Sequence, residues 1–407
     1  MDGLMTRRTF DIAIVGGGMN GAALALALNG SGLSVALIES LALDAGYRPN
    51  YDDRSIAMAH GTACILHDIG AWEPLRQNAE PILRIHVSDR GHFGFTHLDA
   101  EEEGVDALGY VATAHAIGAA MAAGLRTAEG LHLFCPATLE HFAAGPDRVD
   151  LTLRQQGQPI QIGARLLVAA DGTESPIRAQ LGIPVREWRY GHHALTANVT
   201  PTLPHQGVAY ERFTDSGPLA VLPLPGNRCA VVWTALDHQT EEIMGLDDDA
   251  FLSRLQQRFG HRLGRFGMVG KRTAYPLKMR QVREHYRQRT LIIGNAAHAA
   301  HPIAGQGFNL GIRDVALLAE LLIEAARAGG DPGAETLLQA YASGRDRDQQ
   351  GTTLITDILA RLFTSPLPPL RVARDLGMLA LDLLPGAKHL LARNAMGLGG
   401  RLPRLQR

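Results

Sequence analysis

Phe10 to Val15 is an apolar run closed by Gly16, and after it the pattern changes: Ala22 to Leu28 is apolar throughout and stops at Gly30 and Gly32. Leu33 to Ile38 restores the short apolar run and ends at Glu39. Short apolar runs bounded by glycine read as buried strands, and glycine just past an apolar helical stretch reads as its stop. Residues 10–15, 21–29 and 33–39 therefore predict a strand, a helix and a second strand.

The pattern beyond is less regular. Residues 55–66 predict a helix, and 80–100 alternate as strands about a turn at Asp89-Arg90-Gly91. An alanine-rich stretch from about Leu108 to Leu125 predicts another helix. Residues 132–144, 148–155 and 161–172 predict short strands that close on a second glycine turn at Asp171-Gly172. From 190 to 280 the chain alternates and turns often, most clearly over 207–214, 217–225 and 227–235. That block lacks the strand-helix-strand rhythm, so it predicts an antiparallel sheet in a second domain. Residues 291–314 return to the first pattern: Leu291-Ile292-Ile293 ends at Gly294-Asn295, a glycine step follows at Gly305-Gln306-Gly307, and an amphipathic helix starts at about Phe308. The last sixty residues predict helix without an internal repeat. This assigns 1–80, 105–185 and 284–345 to a nucleotide-binding unit, 81–104 and 186–283 to a substrate unit, and 346–407 to a C-terminal helical region.

Composition narrows the picture. A chain of 407 residues exceeds one ordinary core, which favours two packed units. Its net charge of −2 lacks the basic excess of a nucleic-acid binder. Cys64, Cys135 and Cys229 are isolated, so neither a disulfide framework nor a cysteine zinc site is expected. The seventeen histidines form no His-Glu-x-x-His pattern, and no metal site is expected. Residues 12–38 carry no charge, yet six glycines, two asparagines and two serines interrupt them, which argues against a membrane span. Thr6-Arg7-Arg8-Thr9-Phe10 has the look of a twin-arginine export signal, but it leads directly into a fold-forming segment. A cytoplasmic protein is the expectation.

Gly16-x-Gly18-x-x-Gly21 lies between the first strand and helix, and Glu39 ends the next strand 18 residues after Gly21. Gly16 suits a tight turn, Gly18 lets the backbone approach a pyrophosphate, and Gly21 lets helix and strand pack closely. Glu39 can accept hydrogen bonds from ribose hydroxyls. The fingerprint predicts a dinucleotide and does not by itself separate NAD from FAD.

Two further stretches separate them by resemblance. Residues 164–178 (ARLLVAADGTESPIR) resemble the Asp-Gly motif of the para-hydroxybenzoate hydroxylase-like flavoprotein monooxygenases, and residues 291–314 resemble their Gly-Asp motif. The likeness implies a Rossmann-like FAD-binding domain, an antiparallel-sheet substrate domain and a helical C-terminus, an α/β fold with FAD as cofactor. It places Asp171, Gly294 and Asn295 near the ribityl and pyrophosphate portion, and aims the helix start at Gly305, Gln306, Gly307, Phe308 and Asn309 toward the isoalloxazine. Asn295 stands where the family usually has aspartate. An amide still accepts a hydroxyl hydrogen bond and adds a donor, without a buried charge. Asp53 to Ala57, residues 87–95, 209–225, 271–277 and 301–314 further resemble the ubiquinone-biosynthesis hydroxylases, nearest the 2-polyprenyl-6-methoxyphenol type, where Gly-Asn also occurs. By the same comparison Arg54 and His115 face the cofactor.

The resemblance implies an FAD-dependent monooxygenase that hydroxylates a prenylated phenol through a flavin C4a-hydroperoxide, using O2 and NAD(P)H or a separate reductase. No residue is marked as the phenol-activating base; His298 and His301 are candidates. Alternatives are a hydroxylase for another ring position of the same pathway and a flavin-bearing assembly subunit without turnover. Trp72, Trp188 and Trp233 are isolated, unlike the paired tryptophans of flavin halogenases. From Arg371 to Arg407 seven basic residues face two acids, Asp375 and Asp382, with leucines interleaved. That tail suits a solvated helix face, or docking on the inner membrane or a biosynthetic complex.

Overall fold

The computed structural model describes residues 8–42, 54–91, 94–299, 306–346, 385–399 and 403. The chain opens with β1 (Arg8–Val15), α1 (Met19–Ala27) and β2 (Val35–Ile38). There follow β3 (Ser55–Ala59), α2 (His60–Asp68), α3 (Trp72–Arg76), β4 (Ala79–Ile82), β5 (Arg84–Asp89) and β6 (Phe95–Asp99). Next come β7 (Gly109–Thr113), α4 (Ala114–Thr127), β8 (Leu131–Phe134), β9 (Thr138–Ala144), β10 (Val149–Gln155), β11 (Gln158–Ala169) and α5 (Pro176–Gln180). The middle of the chain forms β12 (Val185–Pro201), β13 (Val208–Thr214), β14 (Gly217–Leu224), β15 (Arg228–Leu236), α6 (Asp237–Met244), α7 (Asp248–Phe259), β16 (Phe266–Val269) and β17 (Thr273–Val282). Last are β18 (Tyr286–Arg287), β19 (Thr290–Ile292), β20 (His298–Ala299), α8 (Gln306–Arg327), α9 over residues 335–346, and α10 (Pro385–Ala395).

One eight-stranded sheet runs β18-β19-β11-β1-β2-β8, with β10 and β9 extending from β11. Its pairs β19/β11, β11/β1, β1/β2 and β2/β8 are parallel. Both faces of β1 are covered: Ile12 and Ile14 pack with α1, α4 and α8, while Ala13 and Val15 pack with Phe142, Leu151 and Ile177. This double burial is why the strand reads as an unbroken apolar run rather than an alternating one.

A nine-stranded sheet runs β20-β17-β12-β15-β14-β13-β5-β6, with β16 on β12. It is antiparallel except where β13 runs parallel to β5. One face is closed by α6 and α7, through Trp233 on Phe251 and Tyr210 on Phe259. The other face meets a three-stranded sheet, β3-β7-β4, and α10 through Leu98, Ala209 and Ala230 against Ile82, Val111 and Met396. No helix among the described residues is long and apolar enough to cross a membrane.

Several expectations need correction. Residues 55–59 are a strand before the helix at 60, because Ile56 and Met58 alternate inward and pair with β7. The helix expected from Leu108 starts at Ala114, where the Thr113 side chain caps the Ala116 N–H; the five residues before it are strand. The strand-rich block also holds two helices, α6 and α7. Most of the tail lies outside the described residues; within it, α10 is helical.

Candidate functional site

The carboxyl ends of β1, β2, β11 and β19 meet at one edge, the place where open α/β sheets bind ligands. Gly16 turns with φ +101°, its N–H donating to Ile38 O at 2.8 Å. A Cβ there would stand 2.4 Å from Ala170 O, and one at Gly21 only 1.9 Å from Gly16 O. A Cβ on Gly18 would meet no protein atom within 4 Å. Gly16 and Gly21 are thus needed by the protein itself, and Gly18 faces open space. Glu39 accepts the Gly17 N–H at 2.7 Å through Oε2 and the Leu41 N–H at 2.7 Å through Oε1. The same carboxylate that suits a ribose also fixes the turn. The helix α1 begins with no side-chain cap and no acid in its first turn, which leaves its N–H groups free for an anion.

Asp171 follows β11 at the same edge. Its Oδ2 accepts the Ile177 N–H at 3.3 Å, while Oδ1 is buried with no protein partner. Burial pushes this carboxyl up, against the Ser175 hydroxyl and the Ile177 N–H. Ile293 donates to Ala169 O at 3.0 Å, bringing Gly294 and Asn295 beside Asp171. Asn295 is exposed on a short 3-10 turn, and Gly294 has φ +58°.

Behind that turn stands a group that sequence reasoning missed. Asp314 is completely buried; its Oδ2 accepts the Gly294 N–H at 2.8 Å and meets His298 Nε2 at 2.7 Å. Arg345 Nε lies 2.5 Å from Oδ1, an ion pair between two buried side chains outside good hydrogen-bond alignment. Burial alone would raise Asp314; Arg345 and His298 reverse that and hold it well below the ordinary carboxylate range. His298 is therefore tied to the turn through Nε2, and His301 lies outside the described residues. Asn20 of α1 locks the same region, since a Cβ on Gly294 or Gly311 would come within 2.0 or 2.5 Å of its amide.

The start of α8 presents backbone more than side chains. Phe308 is buried in the core shared with α1. Asn309 Oδ1 accepts the Ala59 N–H at 2.9 Å and the Thr62 hydroxyl at 2.7 Å, and its Nδ2 donates to Ala57 O at 3.0 Å. That amide holds β3 and α2 against α8, whose helical bonding leaves the N–H groups at its start without a partner inside the helix. Gly307 is half-buried, with open space at its Cβ position. Gly305 lies outside the described residues, as does the side chain of Gln306.

Arg54 and His115 sit together at one end of the β3/β7 pair, where Ala114 N–H donates to Arg54 O at 2.9 Å. His115 is exposed and lines a cavity of about 360 Å³ with Asn78, Thr113, Leu224, Pro225 and Arg228. That cavity lies at the end of β14 rather than at the glycine turn. An uncapped helix start, an open Gly18 and the orphaned Asp171 oxygen fit a pyrophosphate and a sugar-like hydroxyl chain, as FAD carries.

Comparison with known proteins agrees. Residues 9–354 match the family described as FAD binding domain. The chain is 38% identical to the ubiquinone hydroxylase UbiL of Rhodospirillum rubrum, over 98% of this chain and 92% of that one. It is 30% identical to the 3-demethoxyubiquinol 3-hydroxylase of Escherichia coli, over 97% of this chain and all of that one, 100%. The chain belongs to the FAD-dependent ubiquinone hydroxylase family. Its fold matches the p-nitrophenol 4-monooxygenase PnpA of Pseudomonas putida with a TM-score of 0.79 at 20% identity, covering 97% and 99% of the two chains. The protein is an FAD-dependent monooxygenase.

In this hydroxylase the strand over Gly217–Leu224 divides by residue. Leu219 and Val221 are fully buried under α6 and α7. Ala220 and Leu222 turn to the opposite face, toward β3, β4 and β7, and stay partly open. Alternation alone produces this division.

Proposed function

We propose that this hydroxylase inserts one hydroxyl into a prenylated phenol of the 2-polyprenyl-6-methoxyphenol type, para to the existing hydroxyl, giving a quinol on the path to ubiquinone. Relatives named for ubiquinone hydroxylation support the pathway, and the observation that carries the substrate class is the sheet face bearing Ala220, Leu222, Val87 and Val232. These four side chains are apolar and partly open on one face of the nine-stranded sheet. Residues 81–104 and 186–283 supply this wall, and the remainder holds the cofactor.

In this reading Gly16, Gly18, Gly21 and the start of α1 take the pyrophosphate, and Glu39 takes the ribose. Asp171, Gly294 and Asn295 take the ribityl hydroxyls, while Arg54 and His115 close the far side. The head of α8, which begins at Gln306, faces the ring system and favours negative charge there. Bound FAD, reduced by NAD(P)H or a separate reductase, supplies the O2 chemistry. The protein positions the phenol and keeps water away.

The test is complementation of hosts lacking each pathway hydroxylase in turn, with accumulated intermediates identified by mass. Rescue of the methoxyphenol step alone is expected. Rescue of a different ring position corrects the substrate, and rescue of none removes this reading. The tail belongs to the same proposal: its basic residues dock on anionic membrane where a polyprenyl substrate resides, measured as co-sedimentation with acidic vesicles that is lost when Arg371, Arg374, Arg401, Arg404 and Arg407 become Gln.

A further inference from the structure

A row of side chains crosses the face of the nine-stranded sheet that meets the three-stranded sheet, and Val87, Glu211, Ala220 and Val232 in it stay partly open. Register pairs Thr96 with Val87, Val87 with Glu211, Glu211 with Ala220, Ala220 with Val232, Val232 with Thr196, and Thr196 with Thr273. Glu211 is the one ionisable residue in it. Its strand neighbour Tyr210 packs on Phe259 under α7, so Glu211 shares the opposite face with Ala209, which packs with Ile82 and Val111 of the three-stranded sheet. Asn309 ties that small sheet to the head of α8 through Ala57 and Ala59. One carboxylate therefore stands between apolar neighbours, Val87 and Ala220, on the face turned toward the elements that α8 holds.

Among the described residues no hydrogen bond or ion pair reaches the Glu211 carboxyl, yet part of its surface stays open. A structural carboxylate this deep is expected to be paired. The ionisable groups on the packed elements are engaged elsewhere or distant. Asp89 lies one step along β5, opposite Phe213, and Tyr110 of β7 packs on Trp72. Glu80 lies on β4, Arg54 precedes β3, and Lys388 and His389 of α10 pair with Glu102 and Glu103. Burial alone pushes Glu211 up, to about 7. A base with that affinity is matched to proton transfer near neutrality.

We propose that Glu211 is the catalytic base that takes the proton from the ring hydroxyl of the phenolic substrate. This rests on the functional reading above. The phenol O–H bond breaks, a carboxyl O–H bond forms, and the electron pair stays on the ring oxygen, enriching the para carbon. Nothing is oxidised or reduced in this step; the inserted oxygen comes from O2. After insertion the para carbon loses its proton to water, and Glu211 returns the stored proton to the ring oxygen. The quinol is then neutral and the carboxylate regenerated.

The experiment uses the full-length, FAD-loaded protein and the prenylated methoxyphenol that complementation identifies. Glu211→Gln is isosteric and removes a charge that burial disfavours, so fold, melting temperature and flavin content should hold. Its kcat should fall about 100-fold or more with KM little changed. Wild-type kcat should rise with pH through about 7, as the carboxyl deprotonates, and that inflection should vanish in Glu211→Gln. Glu211→Asp should keep an inflection at a reduced rate. Glu211→Gln with bound flavin, a rate within about twofold of wild type and an unchanged pH profile would overturn this assignment alone. A wild type that makes no quinol overturns the functional reading and this step with it.

Discussion

Asp314 accepts the N–H of Gly294 at 2.8 Å from a carboxylate with no solvent exposure. The turn that presents Asn295 is therefore backed by a buried negative charge although its own exposed residue is neutral. Replacing Asp314 with Asn removes the buried carboxylate that faces the buried Arg345 guanidinium, which should cost about 3–5 kcal/mol. Flavin retention should drop in parallel, because the turn loses its anchor. Chemical denaturation and absorbance of the purified protein measure both, and a variant as stable and as yellow as wild type would sink the argument.

The same carboxylate sets an acid limit. Its folded affinity for protons lies below the unfolded value of about 3.9, so its stabilisation is complete above about pH 4. As pH falls further, the unfolded chain takes up a proton that the folded chain refuses, and stability is lost. Asp314→Asn should flatten the fall of unfolding free energy below about pH 4. An equally steep fall in the variant would assign the acid limit to other groups.

Gly18 and Gly21 should fail differently. Gly21→Ala drives a methyl into Gly16 O, 1.9 Å away, so the turn itself must shift and stability should fall with flavin binding. A Cβ at Gly18 meets no protein atom within 4 Å, so the Gly18→Val apoprotein should melt within a few degrees of wild type while FAD affinity falls at least about tenfold. Thermal melting of the apoproteins and FAD titration separate the two. Gly18→Val copurifying with stoichiometric FAD would contradict the pyrophosphate assignment.

Much of this was legible in the sequence where a local rule suffices. The strand ending at Gly16 and the acid ending β2 are set by covalent spacing and burial on both faces. The boundaries at 55–59 and 109–113 were not, because Ile56, Met58 and Val111 suit strand or helix until β3 and β7 pair. Asp314 and Arg345 are 31 positions apart, and nothing local marks them as partners. Phe308 and Asn309 look like ligand contacts beside a glycine step, yet their side chains serve packing. Glu211 sits inside a stretch read as sheet, and only register shows that its cross-strand neighbours Val87 and Ala220 are apolar.

Asn309 gives a sharper test of the head of α8. Asn309→Ala strands the Ala59 N–H and the Thr62 hydroxyl, for a loss of about 1–3 kcal/mol. Asn309→Asp keeps the acceptor and loses the bond to Ala57 O, so it should fold better than the alanine variant near neutral pH. Because β3 links α8 to the wall that carries Glu211, both variants should hydroxylate more slowly than their flavin content accounts for. Turnover per bound flavin equal to wild type would show that the clamp serves stability only.

The C-terminal helix should be held by its apolar side rather than its charges. Met396 is 2% exposed, and its carbonyl accepts the Gly61 N–H at 2.8 Å. Lys388 meets Glu102 at 2.6 Å, but the carboxylate is 57% exposed. Met396→Ala should therefore cost about 2–5 kcal/mol, whereas Lys388→Ala should cost no more than about 1 kcal/mol. Urea unfolding of the full-length protein in low and high salt decides between the two. The Met396 effect should be insensitive to salt, since it arises from lost packing against Ile82, Leu98 and Leu108. A larger loss from Lys388→Ala, fading as salt rises, would instead mean that the helix is held electrostatically.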